Sequence, residues 1–175
     1  MRARTRKPFW TVKRAVFISI VFVIALLTVT IVYYRAVHKE LWAEEAPIKA
    51  YAVEAAQLTE VTGMTKQVWD GISWVVKGKT ADEQEVYVFL TTVESPVLTL
   101  KATEHITAEQ AESALLSSKP DADVKRTQPG LLNGEPVWEI FYSRDEAITK
   151  YYYAYYSFRD GAFVKQYSLV GDKAS

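Results

Sequence analysis

Cysteine is absent from the 175-residue sequence, and histidine occurs only twice. Without cysteine there is no disulfide framework, thiol nucleophile or zinc ribbon, and no lipid-modified N-terminal cysteine to anchor the chain. His38 and His105 are too few for a histidine metal cage, and each reads as a surface or capping residue. No serine has a lysine three residues later, the spacing that lets lysine take the proton of a serine nucleophile one helical turn away. Gly-x-Ser-x-Gly, His-Glu-x-x-His and the phosphate-binding P-loop are missing too.

Carboxylates are plentiful, and a glycosidase needs two of them facing each other across a cleft. Glu139 alternates with Trp138 and Ile140, and Glu94 sits beside a turn, so both read as solvated positions. Asp121 and Asp123 lack the rest of a calcium loop. The expectation is a protein that is not an enzyme and uses no cofactor and no metal.

What the chain does have is a strong asymmetry. It carries 21 basic and 21 acidic residues, yet residues 1–35 hold seven bases and no acid, leaving 14 bases and 21 acids beyond them. Residues 15–34, AVFISIVFVIALLTVTIVYY, contain no charge, Gly or Pro and are interrupted only by Ser19, Thr28 and Thr30. At about 1.5 Å per residue, a helix of this length matches a hydrocarbon core of ~30 Å. The run is longer than a secretory h-region and leads into Tyr33, Tyr34 and Arg35, not a small-residue cleavage site, so it reads as a retained span at 15–35.

Arg2, Arg4, Arg6, Lys7, Lys13 and Arg14 precede the span, and Glu40, Glu44 and Glu45 follow it. The positive-inside rule then places a basic tail, 1–14, in the cytoplasm and the C-terminal portion outside the cell membrane. Trp10, Tyr33, Tyr34 and Trp42 fall where interfacial aromatics sit. Beside a lipid bilayer the basic tail reads as topological, its counterions anionic headgroups, and no nucleic-acid partner is expected.

Beyond the span the same order occurs twice. Ala43 to Thr62 is Ala- and Glu-rich and ends at Gly63, which predicts a helix with a glycine stop, and Pro47 is tolerable near its start. Strands are predicted near 65–69, 72–78, 85–92 and 96–103, with Asp70-Gly71 as a hairpin turn and 79–84 as a looser one. Thr107 and Gln110 then form a capping box that opens a helix to about Ser117, closed by Pro120. Strands follow near 122–128, 136–143, 150–158 and 162–169, with turns at Asn133-Gly134 and Asp160-Gly161.

Asp70-Gly71 maps onto Asn133-Gly134 at an offset of 63, Trp74 onto Trp138 at 64, and Glu85–Thr92 onto Lys150–Ser157 at 65. This predicts an α+β protein in which each of two copies, 36–104 and 105–175, is a helix plus a four-stranded antiparallel sheet. About 60 residues make a marginal lone core, so the copies are expected to pack as one body.

The basic start, the single span, Trp74-Val-Val-Lys-Gly78, His105 to Ala111, Val137 to Tyr142 and Tyr151 to Gly161 resemble the TseB (YpmB) family of Bacillus-type bacteria. The resemblance covers nearly the whole chain and rests on order and spacing. It implies tandem PepSY-like, cystatin-like extracytoplasmic domains. It also implies a regulator of peptidoglycan side-wall elongation that associates with a membrane-bound class B penicillin-binding transpeptidase, and it carries no catalytic residues to transfer. The tyrosine-heavy strand and the lengthened loop 144–149 depart from the family pattern.

In Lys150-Tyr-Tyr-Tyr-Ala-Tyr-Tyr-Ser-Phe158, strand alternation puts Tyr151, Tyr153 and Tyr155 on one face and Tyr152, Tyr156 and Phe158 on the other. A strand covered by one helix needs only one aromatic face. The second set either packs against the other repeat or meets a partner, since tyrosine is favoured at protein interfaces. Tyr151, Tyr152, Tyr153, Tyr155 and Tyr156 are therefore the partner-interface candidates. Two other readings stand beside the regulator: a PepSY-type protease inhibitor or peptide-binding module, and a wall-modifying hydrolase.

Overall fold

The computed structural model describes residues 12–69, 71–145 and 148–169, with side chains outside 12–15 and 36–42. The basic tail with Trp10, the turn residue Asp70, the loop residues Glu146 and Ala147, residues 170–175, and the side chains of Lys13, Arg14, His38, Glu40 and Trp42 lie outside that description. The chain divides into two compact units, Met1–Glu45 and Ala46–Ser175.

Helix α1 covers Val12–Ala56. In the first unit, its stretch Val16–Arg35 is the one helix among the described residues long and apolar enough to cross a membrane, with 20 residues at a mean hydropathy of 2.8 and no part of it buried by protein. Its β-branched residues favour strands in water, but a lone segment in lipid must close its backbone hydrogen bonds on itself, which only a helix does. Thr28 and Thr30 fit the same requirement: their hydroxyls donate to the carbonyls of Ile24 and Leu26 at 2.8 and 2.9 Å.

In the second unit, the end of α1 lies on the first sheet. Pro47 falls inside the helix and not near a helix start, where a proline forgoes one backbone hydrogen bond and crowds the carbonyl one turn before it. Just past it, Ile48 and Ala52 are one turn apart and buried. The helix also stops short of the Gly63 that its Ala- and Glu-rich composition suggests. It ends at Ala56, and Gln57 takes a left-handed conformation with φ 50°. From Leu58 the chain is strand β1 (Leu58–Gln67), where Thr59, Val61 and Thr62 escape the side-chain crowding of a helix and Leu58 gains burial.

β1, β2 (Ser73–Thr80), β3 (Glu85–Leu90) and β4 (Leu98–Lys101) form an antiparallel meander in chain order. β1 carries irregular register steps at Leu58/Glu60 and Val61/Gly63 that bring it close over β2. Gly78 permits this approach, because a Cβ there would lie 2.5 Å from the Glu60 carbonyl oxygen. One face of the sheet, with Trp74, Val76, Val86, Val88 and Leu90, packs on Ile48 and Ala52 of α1. Burying a side chain of this size contributes about 1.5–3 kcal/mol.

The order then repeats. Helix α2 (Ala108–Ser118) opens with the capping box seen in sequence: the Thr107 N–H donates to Gln110 Oε1 at 2.8 Å, and the Gln110 N–H donates to Thr107 Oγ1 at 3.3 Å. β5 (Asp123–Leu132), β6 (Glu135–Asp145), β7 (Thr149–Ser157) and β8 (Phe163–Leu169) form the second meander. Asn133 and Gly134, with φ of 52° and 82°, make the two-residue turn that the right-handed twist of a hairpin favours. The β1–β2 connection is longer than a two-residue turn and includes Gly71 at φ 95°.

The two repeats share one core. Val75, Tyr87 and Phe89 from the second face of the first sheet join Ala111 and Leu115 of α2 and Trp138, Ile140, Tyr142, Tyr152, Ala154 and Tyr156 of the second sheet, with Phe158 among them. The fold is thus α+β, with two helix-plus-meander repeats following an apolar N-terminal helix.

Candidate functional site

The other face of the second sheet carries the unusual chemistry. Register places Glu139 opposite Gln128 and Tyr155, Phe141 opposite Tyr153, and Tyr153 opposite Tyr167, so these side chains share one surface. The β1–β2 connection brings Trp69 onto it, its ring centroid 5.2 Å from that of Tyr153 and 4.8 Å from that of Tyr167. Lys66, Gln67, Arg126, Gln128 and Glu139 complete a cleft of about 300 Å³ beside Trp69 and Tyr153.

Its floor is a polar network between the repeats. Glu139 is 3% exposed, not the solvated carboxylate that its alternation with Trp138 and Ile140 suggests. It accepts from Gln67 Nε2 at 2.8 Å and Tyr155 Oη at 3.2 Å on one oxygen, and from Gln128 Nε2 at 2.9 Å and Arg126 Nη2 at 3.3 Å on the other. Four donors fill the roughly four lone-pair positions of a carboxylate. Gln67 Oε1 in turn accepts from the Leu131 N–H at 2.7 Å and from Ser73 Oγ at 3.2 Å. Gly130 makes room for this bracket, since a Cβ there would overlap the Gln67 amide.

The five candidate tyrosines separate sharply. Tyr152 and Tyr156 lie in the shared core, and Tyr155 is completely buried with its hydroxyl on Glu139. Tyr153 is half-buried between Trp69 and Phe141. Tyr151 is 42% exposed and stacks on Phe141 at 5.7 Å. Only Tyr151 and part of Tyr153 are therefore open to another molecule. Trp69, Glu139, Gln67 and Arg126 belong to the same surface and were not among the sequence candidates. A charged residue inside the run Val137-Trp138-Glu139-Ile140-Phe141 is the local signal that marked Glu139.

Elsewhere, His105 is half-buried, its Nδ1 2.8 Å from the Lys101 carbonyl and its ring 5.4 Å from that of Phe158. Arg144 Nε donates to Asp121 at 2.8 Å, and that hydrogen bond holds the Asp121 carboxyl below the usual range. Among the described residues, no group of three His, Asp or Glu side chains is placed to hold a metal ion. A second groove, about 490 Å³, runs from Leu98 and Leu100 on β4 to Pro136, Phe158 and Val164, with His105 and Arg159 at its rim.

Burial also perturbs the tyrosines themselves. Tyr142, whose hydroxyl donates to Gln166 Oε1 at 3.0 Å, has its pKa pushed up to about 12, first by burial and then by Tyr152 and Tyr156. Tyr155 is raised further, by burial first and by the adjoining Glu139 charge second. In the unfolded chain, phenols ionise near pH 10. Below that both states keep their protons and the stabilisation is fully present; above it the unfolded state binds fewer, so stability falls as pH rises toward the folded value. Urea titrations of the full chain in detergent micelles are expected to be flat in this contribution up to about pH 10 and to decline beyond it. Tyr142→Phe is expected to shallow the decline, and an unchanged slope would show that this phenol is not held protonated.

No family model matches the sequence, and no curated protein matches it. Among solved structures, the fold matches that of the YpmB protein from Bacillus subtilis with a TM-score of 0.62 and 22% sequence identity, over 69% of this chain and 96% of that chain. The doubled helix-and-meander architecture is thus shared with YpmB, whose family the sequence pattern resembles.

Proposed function

We propose that the chain is a membrane-anchored, extracytoplasmic regulator of side-wall peptidoglycan elongation that acts by binding a class B penicillin-binding transpeptidase. The observation that carries this reading is the fold shared with 96% of the YpmB chain, in the order seen in the sequence. The apolar stretch Val16–Arg35 supports single-pass anchoring, and the excess of basic residues before it supports a cytoplasmic N-terminus with the repeats outside. Holding both proteins in one membrane raises their effective concentration, so a modest intrinsic affinity suffices.

A photo-crosslinking amino acid at position 151 in intact cells is expected to capture a penicillin-binding transpeptidase. Capture of only other proteins, or release of the mature chain into the medium, would overturn the reading.

The groove beside β4 favours a second reading, a PepSY-type protease inhibitor or peptide-binding module. Among the described residues β4 pairs with β3 alone and so ends its sheet, and an apolar groove lies next to it, the setting in which a peptide adds as a further strand. Full-length protein that inhibits secreted proteases at nanomolar concentration would favour this over the regulator.

A further inference from the structure

On the reading that the repeats act by binding a protein, the geometry points to the Trp69 cleft as the contact, and to a partner segment that places a carboxylate beside an apolar side chain as its occupant. Charge is the first argument. Beyond residue 35 the chain holds 14 bases against 21 acids, yet Arg126 and Lys66 line this cleft, the Lys66 ammonium 5.1 Å from the Trp74 ring, and Lys165 lies beside it over Tyr167 at 4.7 Å.

Hydrogen-bonding capacity is the second. The buried acceptors at its base are already used: both Glu139 oxygens are taken twice, and Gln67 Oε1 accepts two donors. Donors are not used up. Arg126 is half exposed and engages Glu139 through one nitrogen of a guanidinium that carries five N–H groups, and Gln128 gives one of its two amide hydrogens to Glu139. A donor-rich opening matches an acceptor-only group, which is a carboxylate.

The walls supply the apolar half. Trp69 is 40% exposed on its Tyr153 and Tyr167 support, and the aromatic surface continues through Phe141 to Tyr151. Trp, Tyr and Arg clustered around a partly desolvated pocket are the residue types that dominate binding energy at protein interfaces.

The test uses the full chain in detergent micelles and a fluorescent peptide of alternating Glu and Leu residues, with a Gln-for-Glu peptide as control and fluorescence anisotropy as readout. The Glu peptide is expected to bind in the micromolar range, more weakly as salt is added, and the Gln peptide about tenfold more weakly. Trp69→Ala and Lys165→Glu, neither of which removes a hydrogen bond of the buried bracket, are each expected to weaken Glu-peptide binding about tenfold, with far-UV circular dichroism unchanged.

Equal binding of the two peptides, indifference to both substitutions, or no saturable binding would overturn the inference. So would tighter binding of a uronic-acid oligosaccharide than of the Glu peptide. Capture of a transpeptidase through position 151 without peptide binding would leave the proposed function standing and remove this contact. Peptide binding alongside capture of a different class of protein would do the reverse.

Discussion

Glu139→Ala is expected to destabilise the paired repeats by about 3–4 kcal/mol, measured by urea unfolding of the full chain in micelles and followed through near-UV circular dichroism. The cost comes from what is left behind more than from what is lost. Gln67 and Tyr155 are buried donors whose one carboxylate oxygen would vanish, and Gln128 and Arg126 lose the other. Each buried donor left unpaired costs about 1–3 kcal/mol, and Arg126 less because it is half in water. Glu139→Gln keeps the volume but turns an amide NH2 toward existing donors, so an intermediate loss of about 2 kcal/mol is expected. Gly130→Ala should act on the same bracket from the opposite side by displacing the Gln67 amide. A Glu139→Ala loss under about 1 kcal/mol would show that water replaces the carboxylate at little cost.

Phe158→Ala is expected to cost about 3–5 kcal/mol by the same measurement, the range for emptying a large aromatic site in a close-packed core. The ring is 1% exposed, stacks on Trp138 at 5.0 Å, and meets Tyr87 and Phe89 of the first sheet edge-on at 5.1 and 5.3 Å. Its backbone is held as well: its N–H donates to the Pro136 carbonyl at 3.1 Å, and its own carbonyl accepts from Ile106 at 3.3 Å. Such fixed surroundings leave little room to collapse around the cavity. Phe158→Leu, which fills most of that space, should recover a large part of the loss, and equal losses for the two would argue that packing at this position is loose.

Local signals were legible in the sequence and distant ones were not. The Thr107–Gln110 box and the Asn133-Gly134 turn are complete within four residues, and each forms as its chemistry dictates. The two meanders follow from period-two alternation between turn residues. The end of α1 was misread because Ala and Glu continue the helical composition past Ala56, while the actual stop, Gln57, carries no glycine to announce it. Glu139 was misread for a different reason. Alternation says which side of a strand a residue faces, not whether that side stays wet, and this one is closed by Gln67, 72 residues earlier in the chain. The tyrosines show both limits together: the two faces separate as alternation predicts, yet Trp69 and the first repeat decide how much of the second face is covered.

Because Tyr87 and Phe89 finish a core that Trp138 and Phe158 begin, the repeats resemble the subunits of an obligate heterodimer that happen to be tethered. The second repeat has no complete interior to retreat into, so its expression alone should yield insoluble chain, while co-expression with the membrane-anchored first repeat should restore a folded assembly at the membrane by fragment complementation.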